Sequence, residues 1–94
     1  MALLDLLGRR WALRVIWELR GEPLSFRETQ ARCGAVSSSV LNQRLMELRA
    51  AGIVEAGDDG YELTDEGRGL LALYAPLEAW AERWAQREAR SRKI

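Results

Sequence analysis

Apolar residues recur along this chain with a helical period over most of its length, and with a two-residue period over one short stretch. The clearest helical segment runs from Ser37 to Gly52, SSSVLNQRLMELRAAG, where Leu41, Leu45 and Leu48 form one apolar stripe. Ser37 is placed to cap it, its hydroxyl accepting from the backbone N–H of Val40. Gly52 supplies the left-handed residue that ends many helices. The opposite face carries Ser39, Gln43, Met46 and Ala50, flanked by Ser38 and Asn42.

Upstream, Leu3, Leu4, Leu6 and Leu7 open an apolar segment that Gly8 interrupts. A second helix is predicted over 9–20, with Trp11, Val15, Ile16 and Leu19 on its buried side. Leu13 and Trp17 are apolar too, so this helix is expected to be covered on more than one side. Gly21, Glu22 and Pro23 break it. Ser25-Phe26-Arg27-Glu28 has the form of a capping box, serine capping forward and glutamate capping back. The short helix it starts ends at Gly34, with Phe26, Thr29 or Gln30, and Cys33 on the inner side. Gly34-Ala35-Val36 then turns into the Ser37 helix. Two short helices joined by a tight, glycine-containing turn form the helix-turn-helix pattern, here over about 25–50.

Beyond Gly52 the period changes. Ile53 to Ala56 and Tyr61 to Leu63 read as strands around the turn Gly57-Asp58-Asp59-Gly60, a small wing over about 53–63. Thr64 caps a final helix over about 65–90, whose first turn carries Asp65 and Glu66 at the positive end of the helix dipole. Along it Leu70, Leu73, Leu77, Trp80 and Trp84 recur at alternating spacings of three and four, the stripe of a helix that packs along another helix. Pro76 is expected to kink it or loosen one turn, and QREARSRKI beyond Trp84 to fray. The fold class that emerges is mainly α with a small β-hairpin: a single winged helix-turn-helix domain over 1–94.

The terminal helix has two possible jobs, covering its own core or pairing with a second copy. Four tryptophans in 94 residues are more than so small an interior readily hides, which favours the dimer. That reading places Leu4, Leu7, Trp11, Leu70, Leu73, Leu77, Trp80 and Trp84 at the interface.

Composition narrows the chemistry. The chain is 48% hydrophobic and 30% charged, an ordinary soluble composition, and its uncharged runs fall well short of the ~20 residues that span a bilayer. No export signal is evident at the N-terminus. A single cysteine, Cys33, precludes an intrachain disulfide and fits a reducing cytoplasm. Histidine is absent, removing the commonest metal ligand and general base. No cysteine cluster, glycine-rich phosphate loop or acid pair points to a metal, a cofactor or catalysis.

Net charge is zero, but unevenly distributed. Residues 25–52 carry +2, residues 53–67 carry −6 and residues 68–94 carry +3. Lys93 is the only lysine; all other basic residues are arginine, suited to planar, forked contacts with phosphate. On the Ser37 helix, serine permits close approach to a major groove, and Asn42 or Gln43 can bond bidentately to adenine. Taken alone, these amides read equally as ordinary solvated side chains; the neighbouring elements favour DNA.

In order and spacing these residues resemble the HxlR-type winged-helix transcriptional regulators, over about Leu3 to Trp84. Leu7-Gly8-Arg9-Arg10-Trp11 is similar to that family's leucine–glycine–glycine–basic–tryptophan opening, and Ser25-Phe26-Arg27-Glu28 to the start of its next helix. Val36-Ser37, Leu41-Asn42-Gln43-Arg44-Leu45 and Glu47-Leu48 follow its recognition helix. Gly52-Ile53-Val54-Glu55 and Tyr61-Glu62-Leu63-Thr64-Asp65-Glu66-Gly67 follow its wing and final helix. The resemblance implies a cytoplasmic, non-catalytic regulator that binds a near-palindromic DNA operator as a two-fold homodimer. It places DNA contacts at Ser38, Ser39, Asn42, Gln43 and Arg44, with Ser37 near a phosphate and Arg27 near the backbone. The alternative is a winged-helix module that binds protein, which the zero net charge and acidic wing would suit.

The chain departs from the family at several points. Arg9 replaces a glycine, and Thr29 sits where an apolar residue is common. Ser38, Ser39 and Met46 stand where longer polar or basic side chains are frequent. Asp58 and Asp59 at the wing tip would be repelled by phosphate, so wing contact is not expected. Some relatives sense oxidants through a cysteine before the first helix; none lies there. Cys33 is expected to act as a small hydrophobe.

Overall fold

The core is built where three short helices and a hairpin bring their apolar stripes together. A computed structural model describes residues 2–92, with no side-chain description for Arg92; Met1, Lys93 and Ile94 lie outside the described residues, and with them the last part of the tail expected to fray. The element order is α1 (Ala2–Leu7), α2 (Ala12–Glu18), α3 (Phe26–Cys33), α4 (Ser38–Ala50), β1 (Val54–Gly57), β2 (Gly60–Leu63) and α5 (Asp65–Arg92). The strands pair antiparallel with Val54 opposite Leu63 and Gly57 opposite Gly60, so Asp58 and Asp59 form the turn. This is a winged helix-turn-helix.

Val15, Ile16, Leu19, Cys33, Val36, Leu41, Leu45, Leu48, Ile53, Val54 and Leu63 are buried together. Leu41, Leu45 and Leu48 are 0%, 1% and 0% exposed, so the α4 stripe is wholly in the core. Each such side chain contributes on the order of 2 kcal/mol by leaving water. Leu24 joins the hairpin as a third short edge, its N–H donating to the Tyr61 carbonyl at 3.0 Å and Tyr61 N–H donating back at 2.7 Å. That edge passes so close that a Cβ at Gly60 would stand 2.5 Å from the Leu24 carbonyl oxygen. With φ at 126°, Gly60 is required on both counts.

Local signals set the boundaries. Ser25 Oγ accepts from Glu28 N–H and the Glu28 carboxylate accepts from Ser25 N–H, which completes the capping box. On the inner side of α3, Thr29 is fully buried and donates to the Ser25 carbonyl, while Gln30 is only half-buried. At the end of α4, Ile53 N–H reaches the Leu48 carbonyl at 2.9 Å and Gly52 N–H the Arg49 carbonyl at 3.0 Å. With Gly52 at φ 77°, that pair of bonds is a Schellman motif. Thr64 Oγ1 accepts from Gly67 N–H at 3.0 Å and starts α5.

The second helix differs from its expected span of 9–20. Trp11 adopts φ 76°, a left-handed conformation costing roughly 1–2 kcal/mol in a non-glycine residue, and α2 begins only after it. Leu13 and Trp17 are 42% and 37% exposed, so α2 is covered on one side by its own chain rather than on several. The final helix continues through Pro76 to Arg92. At 28 residues it extends well past the core and stretches the molecule to 54 × 27 × 26 Å.

Candidate nucleic-acid interface

The outward face of α4 is presented by the helix before it. Gly34, at φ 91°, turns the chain out of α3. Gln30 Nε2 then holds the turn by donating to the Val36 carbonyl at 3.2 Å. Ser37 Oγ accepts from Val40 N–H at 3.2 Å, which caps the first turn of α4. With the leucine stripe anchored beneath, Ser38, Ser39, Asn42 and Gln43 are exposed in one row. Ser37 and Ser39 stand within 3.5 Å hydroxyl to hydroxyl, and Asn42 Nδ2 lies 3.6 Å from the sulfur of exposed Met46. Ser38, Ser39, Asn42 and Gln43 are small or rotatable polar groups that make only these long contacts among the described residues, which leaves them available for groove contacts.

Arg27 is exposed on the first turn of α3. Arg44 is placed differently from its expected role beside Gln43. Its Nε donates to the Arg10 carbonyl at 2.9 Å and its Nη1 pairs with Glu47 Oε1 at 2.6 Å. The side chain is only 17% exposed, so the guanidinium faces the α1–α2 corner instead of solvent. Its spacing of three from Glu47 is the sequence signal for that pairing. Arg49, absent from the expected contacts, is exposed and lines a shallow groove with Met46, Ala50 and the Val54–Ala56 edge of the wing. Near the C-terminal end of α4 it is an exposed cation on the same helix as the Ser38–Gln43 row.

Two titratable groups of α3 are shifted, each for an identifiable cause. Bonds from the Ser25 backbone N–H and then its side chain hold the Glu28 carboxyl below its ordinary value of 4.5, with help from Arg32. Burial raises the Cys33 thiol above its ordinary 9.0, as does nearby Glu18, against Arg14. Cys33 therefore sits as a neutral thiol in the core, the role of a small hydrophobe.

A second surface is apolar. Leu4, Leu7, Leu13, Trp17, Leu71, Tyr74 and neighbouring side chains from α1, α2 and α5 line an open groove of about 320 Å³. The residues expected at an interface divide in two. Leu7, Trp11 and Leu70 are half-buried against their own core. Leu4, Leu73, Leu77, Trp80 and Trp84 are exposed by 61%, 70%, 57%, 55% and 52%. So long an apolar stripe in water marks an interaction surface. Among the described residues no helix is long and apolar enough to cross a membrane, and no group of three or more His, Cys, Asp or Glu could hold a metal ion.

Residues 6–89 match the HxlR-like helix-turn-helix family. The HTH-type transcriptional regulator YodB of Bacillus subtilis (strain 168) is 32% identical over an alignment of 89 residues that covers 87% of this chain and 80% of that protein. The uncharacterized HTH-type transcriptional regulator YvaP of the same organism is 30% identical over 87 residues, covering 85% and 81%. The crystal structure of quinone-bound YodB is similar with a TM-score of 0.83 at 34% identity, over 87% of this chain and 93% of that one.

Proposed function

Because the chain belongs to the HxlR-like helix-turn-helix family, whose matched members are transcriptional regulators rather than enzymes, we propose that it reads operator DNA in the cytoplasm as a two-fold homodimer, through α4. The observation that carries this reading is the exposed row Ser38, Ser39, Asn42 and Gln43 over a fully buried leucine stripe. The amides supply bidentate partners for adenine, the serines close approach, and Ser37 brings the helix start to a phosphate. Arg27 adds a backbone contact from α3. Leu73, Leu77, Trp80 and Trp84 pair with a second copy, joined by Leu4 from α1. Two-fold symmetry then sets half-sites about 34 Å apart in a near-palindromic site.

Selection of bound fragments from random duplex, followed by binding of the Asn42→Ala, Gln43→Ala double variant, tests this. Each bidentate contact is worth roughly 1–3 kcal/mol of discrimination. The double variant should therefore lose operator preference while keeping its helical content and its sedimentation mass. Full preference in the double variant would move the reading surface elsewhere. Failure of the wild type to enrich any sequence would favour a protein-binding role for the same fold.

A further inference from the structure

We infer that Glu47 is a positioning residue, which locks the base of the reading helix to the segment joining α1 and α2. The inference rests on the proposed DNA reading for its consequence, but on geometry for its existence. Glu47 uses both carboxylate oxygens: Oε1 takes Arg44 Nη1 at 2.6 Å, and Oε2 takes Arg9 Nη1. Arg44 in turn gives its Nε to the carbonyl of Arg10 at 2.9 Å. Two consecutive residues of the corner, 9 and 10, are thus held from α4, one by its side chain and the other by its backbone. The Glu47 and Arg44 side chains are 14% and 17% exposed, so the inner pair is shielded from the screening that weakens surface ion pairs.

What the clasp holds matters. The carbonyl it grips immediately precedes Trp11, the one described non-glycine residue with positive φ. That residue stands in the segment where the chain turns from α1 into α2. Leu4 and Leu7 of α1 line the exposed apolar groove, so the clasp connects the reading helix to the surface on which the second copy is proposed to sit. In a dimer assembled through that groove, the separation of the two reading helices is set through this corner. A rigid clasp makes half-site spacing a sharp requirement; a loose one relaxes it.

Two variants test this. Glu47→Gln keeps the volume and removes the charge. Arg9→Gln, at a side chain 49% exposed, removes only the outer link and leaves the buried pair and the fold intact. Wild type should bind the selected site at its optimal spacing at least about tenfold better than a site lengthened by a single base pair, and Glu47→Gln should erase most of that ratio. Arg9→Gln should reduce it partly. Equal weakening of all spacings would mean a merely structural role and overturn the inference. Tighter binding at all spacings would mean that Glu47 only restrains Arg44 from DNA, and would overturn it too.

Amide hydrogen exchange on the DNA-free protein tests the clasp independently. The Arg9 and Ala12 amides are bonded to the Leu6 and Arg9 carbonyls, each at 3.2 Å. They should exchange about tenfold faster in Glu47→Gln. Unchanged exchange at both would sink the clasp whatever the duplex results. If wild type bound no duplex, the DNA reading would fall, and exchange alone would decide whether Glu47 holds the corner.

Discussion

Gly67 and Gly69 lie two residues apart on α5, and substituting each by alanine should move stability in opposite directions. Helix propensity alone favours alanine at both, by about 1 kcal/mol each. At Gly69 nothing stands within 4 Å of a new Cβ, so the propensity gain should be realised. At Gly67 a Cβ would stand 2.2 Å from the Ile53 carbonyl oxygen and 3.2 Å from the Ile53 carbonyl carbon. That oxygen also accepts the Thr64 N–H at 3.0 Å, so it cannot withdraw without weakening the start of the helix. Relief needs a shift of roughly 1 Å between α5 and the end of the α4 turn, well beyond van der Waals tolerance. Overpacking of this kind costs about 1–3 kcal/mol and a lost hydrogen bond about 1 kcal/mol more. Net of propensity, Gly67→Ala should destabilise by about 2 kcal/mol, or roughly 10 °C in Tm for a domain this size. Gly69→Ala should raise Tm by a few degrees. Thermal and urea unfolding by circular dichroism, at one fixed protomer concentration, measures both. A Gly67→Ala variant as stable as wild type would refute the close approach of α5 to residue 53.

Three further outcomes are expected. The Glu28 carboxyl is held below its ordinary 4.5 by Ser25, so its contribution is fully present above that pH and disappears as pH falls through the lower folded value. Tm should therefore drop less between neutral and acid pH in Glu28→Gln than in wild type, and parallel curves would contradict the capping box. Cys33, buried and raised above 9.0, should react with a maleimide at neutral pH at least about 100-fold more slowly in the native state than in denaturant; equal rates would contradict its burial. Trp80→Arg, at a side chain 55% exposed in the protomer, should preserve helical content and give a monomer by sedimentation. An unchanged mass would exclude that part of α5 from the dimer.

Features governed by residues three to six apart were legible in the sequence. The Ser25–Glu28 box, the Ser37 cap, the Schellman end at Gly52 and the Thr64 start all form where the residue pattern puts them, because each is closed by neighbours along the chain. The alternation around Gly57-Asp58-Asp59-Gly60 likewise located the hairpin. Features settled by distant partners were not. Arg44 turns inward because the Arg10 carbonyl, 34 positions earlier, is there to receive it. The second helix starts late because Trp11 turns left-handed at that same corner, which no propensity at Trp11 foretells. Leu24 pairs with Tyr61 across 37 positions, and Gly60 is indispensable only because Leu24 passes over it. The exposure of Ser38, Ser39, Asn42 and Gln43 was legible, since they are the complement of the leucine stripe. That Arg44 turns inward while Arg49 stays exposed was not.

On the proposed reading of DNA by α4, an inward Arg44 and an exposed Arg49 change the expected electrostatics of binding. Residues 38–43 contain no charged side chain. Arg27 on α3 and Arg49 on α4 are exposed cations, whereas the wing tip presents Asp58 and Asp59, exposed and of the same sign as phosphate. Two phosphate contacts per protomer give about four for a dimer, and so a slope of log affinity against log salt near −3.6. Between about 50 and 200 mM salt, affinity should fall by roughly 10²-fold, against 10³–10⁵ for proteins making 6–10 phosphate contacts. Fluorescence anisotropy with a labelled operator measures the slope directly. Arg49→Ala should flatten it by about two contacts, one per half-site, while Arg44→Lys should leave it unchanged. A wild-type slope of about −7 or steeper would show that other arginines, on α5 or the α1–α2 corner, reach the backbone. If Arg44→Ala alone flattened the slope, Arg44 would have to leave Glu47 when DNA binds.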